Sequence, residues 1–223
     1  MPARRISDGV CVIRLFDVVG QDSATIQEFT RHVGLAAEGR AEHRPSDALP
    51  WEHMGPPLLR GDSSGPVHSL GTAGLSVDQT RQLRLFIDEL ENEYEGVKAR
   101  SQYVVAPHVC DEKADDGTTK YRKFSCAGFV IEAYREAAID LLTTEANDLP
   151  RVDLDALLRQ YSDKERELRS DLIRRKVGLN GDGPWPVVLC GYVLNSLARS
   201  EPEIRSRPSR PEAGDEFFPA RRL

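Results

Sequence analysis

Apolar positions recur along the chain in two rhythms, one of strands and one of helices. "GVCVIRLFDVV", Gly9 to Val19, is rich in Val and Ile and predicts a buried strand. "TRHVGLAAEGRAEH", Thr30 to His43, predicts two short strands around a turn at Glu38-Gly39. Periodicity then fades. Residues 44–74 are dense in Pro, Gly and Ser and predict a long loop. A loop of that length inside a domain is usually functional or mobile.

The helical rhythm begins at Ser76. Ser76 and Gln79 have capping-box spacing, and Leu83, Phe86, Leu90 and Tyr94 share one face, predicting a helix to about Val97. "QYVVAPHV" predicts a short strand and "CDEKADDGTTKYRK" a polar turn. "FSCAGFVIEAYREAAIDLL" predicts a helix opening at Cys126, with Phe129, Val130, Ala133, Tyr134, Ala137 and Leu141 on its buried side. Asp153 is placed to cap a further helix with Leu154, Leu157, Leu158 and Tyr161 at helical spacing. The charged run Ser162 to Lys176 predicts a solvated helix with Leu168, Leu172 and Ile173 as its apolar line, stopped at Gly178. "WPVVLCGYVLNSL" predicts a strand or a short helix. From Arg199 the density of Pro and charge predicts a poorly ordered tail, 199–223. Residues 1–198 then make one α+β domain: a small antiparallel sheet packed against the helix that starts at Cys126.

Composition narrows the function classes. Charged residues make up 30% of the chain, hydrophobic residues 39%, and the net charge of -6 disfavours a broad nucleic-acid surface. No apolar run approaches the roughly 18–20 residues that span a bilayer, so no stable membrane insertion is expected. The N-terminus has the pattern of a folded domain rather than a signal peptide, and the expected location is cytoplasmic. The four cysteines, Cys11, Cys110, Cys126 and Cys190, form no CxxC pair and are expected to be reduced. Cys11 and Cys190 lie in apolar runs and are expected in the core. No cofactor and no metal are called for.

Cys126 is different because it precedes a helical pattern and is followed by the small residues Ala127 and Gly128. A helix N-terminus and a nearby imidazole both favour thiolate. All five histidines, His32, His43, His53, His68 and His108, precede Cys126, so any base must come earlier in the chain than its nucleophile. His32 opens a strand-turn pattern and is the leading candidate. Across a hairpin turning at Glu38-Gly39, His43, or Glu42 in the other register, is placed to orient it. His108, two positions from Cys110, is the rival base, or a loop histidine. His53 and His68 fall in the predicted loop and are expected to be solvated.

"RHVGLAAEGRAEH" resembles the histidine motif of NlpC-type papain-like hydrolases, and "FSCAGFVIEAYREAAIDL" is similar to their cysteine motif. The order, histidine before cysteine, is that of the circularly permuted branch, which includes YiiX/YaeF-like amidases and, more distantly, the lecithin retinol acyltransferase group. The resemblance covers roughly Val10 to Leu142. It implies a permuted papain-like fold with Cys126 as nucleophile, His32 as base and His43 as orienting residue. The implied activity is amide hydrolysis through a thioester, the substrate being a peptide or isopeptide. Acyl transfer or lipid-ester cleavage is the alternative on the same scaffold, and a noncatalytic binding module is the competing class. The sequence leaves the oligomeric state open.

Overall fold

The computed structural model describes residues 17–23, 26–36, 50–62, 68–71, 73–161 and 164–215. The fold is a mixed α+β arrangement of small antiparallel sheets and several helices. The main sheet has five strands: β1 (Asp17–Ser23), β2 (Ile26–Ala36), β3 (Trp51–Met54), β4 (Leu58–Asp62) and β5 (His68–Gly71), in the order β4-β3-β2-β1-β5. Helix α1 (Val77–Glu93) follows, then the hairpin β6 (Val109–Lys113) and β7 (Thr119–Phe124), and helix α2 (Cys126–Glu136). The two-residue strand β8 (Arg151–Val152) leads into α3 (Leu154–Gln160), α4 (Glu165–Leu168) and α5 (Asp171–Lys176). The chain closes with β9 (Trp185–Pro186), α6 (Cys190–Leu197) and α7 (Glu201–Ser206).

Local chemistry explains most of these boundaries. The Ser76 hydroxyl accepts the Gln79 N–H and the Gln79 side chain accepts the Ser76 N–H, completing the capping box of α1. Asp153 accepts the Ala156 N–H at 2.8 Å and starts α3. Gly178, at φ +85°, ends the chain's turn after α5 where a side chain would be strained. Helix α2 lies on the main sheet and against α1, and its buried face of Phe129, Val130, Ala133 and Tyr134 forms the centre of the core.

Several expectations are corrected. The predicted loop at 44–74 carries three strands, β3, β4 and β5. Gly55-Pro56-Pro57 is the connection between β3 and β4, a turn between two strands. The predicted polar turn after Val109 is the β6–β7 hairpin. "QYVVAPHV" forms no regular strand before Val109; it follows a short 3₁₀ turn, Ala99–Gln102. Helix α1 ends at Glu93, short of Val97, and the charged run after Tyr161 is broken into α4 and α5.

The tail is also corrected over the described residues. Ile204 on α7 is 2% exposed and belongs to the main core. Arg199 donates to the Leu141 carbonyl at 2.9 Å and Arg205 to the Gly74 carbonyl at 2.6 Å. One buried apolar anchor and directed arginines outweigh the polar composition that predicted disorder. Residues 216–223, the predicted turn at Glu38-Gly39, and His43 with Glu42 lie outside the described residues. Among the described residues, no helix is long and apolar enough to cross a membrane.

Candidate functional site

Two elements meet at the site: the face of the sheet that carries His32 and the N-terminus of α2. Ser125 caps α2 with its hydroxyl accepting the Gly128 N–H at 2.9 Å. The Ser125 N–H donates to the His108 carbonyl at 2.9 Å, which fixes the start of the helix. A Cβ on Gly128 would stand 2.0 Å from that carbonyl oxygen, so only glycine permits this approach. Cys126 is the first residue of the helix, 1% exposed.

His32 is partnered by His53, while the predicted His43 lies outside the described residues. His32 Nε2 and His53 Nδ1 are 2.8 Å apart, and His53 Nε2 is 2.9 Å from Asp62 Oδ2. His53, expected to be solvated, is 6% exposed. The Trp51 ring stacks on it with centroids 4.0 Å apart and meets His32 edge-on at 5.4 Å. The two histidines lie 21 positions apart and are brought together by the pairing of β2 with β3.

Glycine makes this pairing close. A Cβ on Gly34 would lie 2.5 Å from the Glu52 carbonyl oxygen and 2.8 Å from His53 Cβ. Gly55 borders the two rings themselves: a Cβ there would stand 3.5 Å from His53 Nδ1 and 3.6 Å from His32 Nε2.

A bulge aims Asp62. His53 pairs with Leu59, but Trp51 pairs with Asp62, so one extra residue is accommodated in β4 between them. Gly61, at φ +61°, supplies the backbone conformation that the bulge needs. Side chains alternate along a strand, so without the extra residue Asp62 would point to the opposite face from His53. Arg60 clamps the same strand to α1 through Asp88 at 2.9 Å.

The hydrogen-bond line fixes tautomers. A carboxylate only accepts, so His53 Nε2 carries its proton toward Asp62. His53 Nδ1 is then an acceptor and takes the proton of His32 Nε2. That leaves His32 Nδ1 as the free acceptor nitrogen of the line, and His32 is among the groups that favour the Cys126 thiolate. Burial and the neighbouring His32 push the His53 pKa down, against the pull of Asp62, in keeping with a neutral imidazole.

The Cys126 thiol is held well below the ordinary cysteine range. The Cys190 thiol, its hydrogen-bond partner at 3.4 Å, does most; His32 and the Ala127 N–H add to it, while burial opposes. Cys190 is held up, as a protonated thiol, by the same contact and by burial. The Tyr161 hydroxyl lies close enough to Cys126 to feel its charge and stands 3.2 Å from the Tyr103 hydroxyl. Burial pushes both phenols well up, which keeps them neutral hydrogen-bond groups.

Cys126 and His32 thus share one electrostatic environment, and His53, Asp62, Tyr103, Tyr161 and Cys190, which belong to the same site, were missed. The signal for the first two was "WEHMGPPLLRGD", two strand-like segments about a Gly-Pro-Pro turn, with Trp51 and His53 on one face. No local signal marks Tyr161 or Cys190. The rival base His108 is buried and lies 3.2 Å from Glu132 on α2. It borders an open cleft of about 490 Å³ also lined by Leu149, Arg151 and Trp185, whose lining does not include Cys126, His32 or His53. No family model, no curated protein and no solved structure matches this chain.

Proposed function

We propose that the chain is a cysteine-dependent acyl-transfer enzyme of the permuted papain-like kind, and that its reaction is hydrolysis of an amide through a thioester. The observation that supports this most is the continuous line Asp62–His53–His32, joined by contacts of 2.9 and 2.8 Å, with His32 favouring the thiolate of Cys126 at a helix N-terminus. Such a line has no structural necessity: burying an imidazole pair costs free energy that an apolar pair would not.

Each group has a role. Cys126 attacks the acyl carbonyl as thiolate, forming the C–S bond. His32 holds the thiol proton and returns it to the leaving nitrogen as the tetrahedral intermediate collapses. His53 is a positioning residue that keeps His32 in the tautomer with Nδ1 toward sulfur, and Asp62 does the same for His53. The first N–H groups of a helix have no intrahelical partner, so that of Cys126 is available to the oxyanion. Water then attacks the thioester with His32 as base, releasing the acid and regenerating the thiol. Cys126 is 1% exposed, so substrate entry requires one of its covering groups to move. Tyr161, directly after the seven-residue helix α3, is one of those covering groups.

An activated acyl probe tests the reading. Incubation with a p-nitrophenyl ester and intact-mass analysis should show one acyl group, mapped to Cys126 and absent from Cys126→Ser. Adding hydroxylamine should release it. Acylation elsewhere, or none with the His32–Cys126 pair intact, would favour a noncatalytic module. Product formed only when an alcohol or amine acceptor is supplied would make the chain an acyltransferase.

A further inference from the structure

We propose that Cys126 and Cys190 form an oxidative modification site, closing to a reversible disulfide when the protein meets a peroxide. The two sulfurs are 3.4 Å apart although the residues lie 64 positions apart in the chain. Each is the first residue of its helix, Cys126 of α2 and Cys190 of α6, and the two helices are packed together. A bonded pair needs about 2.05 Å between sulfurs, a closure within reach of side-chain rotation and small shifts of two helix ends. Cys110, the other free cysteine among the described residues, lies on the β6 strand and is half-buried.

The chemistry is asymmetric. Cys126 faces His32 and the Ala127 N–H, which favour its thiolate, while the Gln160 side chain hydrogen-bonds Cys190. The Cys126 thiolate attacks one peroxide oxygen; the S–O bond forms, the O–O bond breaks, and hydroxide leaves. Cys126 is now a sulfenic acid and the peroxide has been reduced. Cys190 sulfur attacks the Cys126 sulfur, forming S–S and breaking S–O; the departing hydroxide takes the Cys190 proton and leaves as water. A dithiol restores both thiols by exchange. The disulfide would block the sulfur that the proposed function uses, and it would protect that sulfur from irreversible oxidation. The pairing itself stands on the sulfur geometry and holds whether or not the chain is a hydrolase.

The test is peptide mapping of the full chain after a stoichiometric dose of hydrogen peroxide, digested without reductant. The expected product is a linked peptide pair containing Cys126 and Cys190, abolished by dithiothreitol. In Cys190→Ala and Cys190→Ser the link is lost and Cys126 proceeds to sulfinic acid. Sulfinic acid at Cys126 in the wild-type chain, a link through Cys110 or Cys11, or an unoxidised Cys126 would each overturn the proposal. Because the wild-type map decides alone, a variant that fails to fold does not blunt the test.

Discussion

Replacing His53 by alanine separates this account from the one its sequence first suggested. His53 Nδ1 accepts from His32 Nε2 at 2.8 Å, and His53 itself is buried. The hydrogen bond matters most when His32 has taken the thiol proton, because its partner is then charged. A hydrogen bond to a charged group contributes about 1.5–3 kcal/mol. At about 1.4 kcal/mol per tenfold, His53→Ala should lower kcat/KM on a p-nitrophenyl ester by about 10- to 150-fold. The truncation also leaves a cavity beneath Trp51 and removes a hydrogen bond from Asp62, so stability should fall by about 2 kcal/mol or more. Folding must therefore be checked by near-UV circular dichroism at the assay temperature. His53→Gln offers an acceptor oxygen to His32 and should recover most of the rate; its recovery distinguishes positioning from packing. His43→Ala should leave the rate near wild type, because His32 Nε2 already faces His53. A normal rate in folded His53→Ala, or the large loss in His43→Ala instead, would refute the reasoning.

Three further outcomes follow from the same contacts. Gly34→Ala should lower both the melting temperature and the ester rate, because the new Cβ meets the Glu52 carbonyl at 2.5 Å and forces β3, with His53, away from β2; a silent substitution would mean that the strand pairing is looser than described. Stability should decline as pH drops below about 6.5, since the unfolded chain takes up a proton on His53 that the native state resists until lower pH; urea titrations of wild type and His53→Gln should show a flatter pH dependence in the variant. Ile204→Ala should cost about 2–4 kcal/mol in urea unfolding, because that side chain is 2% exposed in the core; a cost near zero would restore the disordered tail.

The parts of the site legible in the sequence were those written in local periodicity. Cys126 announces itself because a helical pattern starts on it, and His32 because it sits in a strand-like run. His53 and Asp62 were hidden by their own enabling residues. Gly55, Pro56, Pro57 and Gly61 shape the β3–β4 turn and its bulge, and the same residues signal a loop when counted as composition. The alternation of Trp51 and His53 was present but spans only four residues. Tyr161 and Cys190 could not be read at all, since each follows an ordinary helical or apolar pattern. Only the packing of α3 and α6 brings them to the sulfur. The tail failed for a related reason: composition averages over residues, whereas Ile204 and two arginines act singly.

The central claim is that His32 and its neighbours hold Cys126 as a thiolate. Its most direct test is the rate of iodoacetamide alkylation of Cys126 against pH, read by peptide mass in wild type and in His32→Ala. The account predicts a wild-type midpoint well below the ordinary thiol value of about 8.5, moving upward in the variant. A midpoint near 8.5 in both proteins would contradict it.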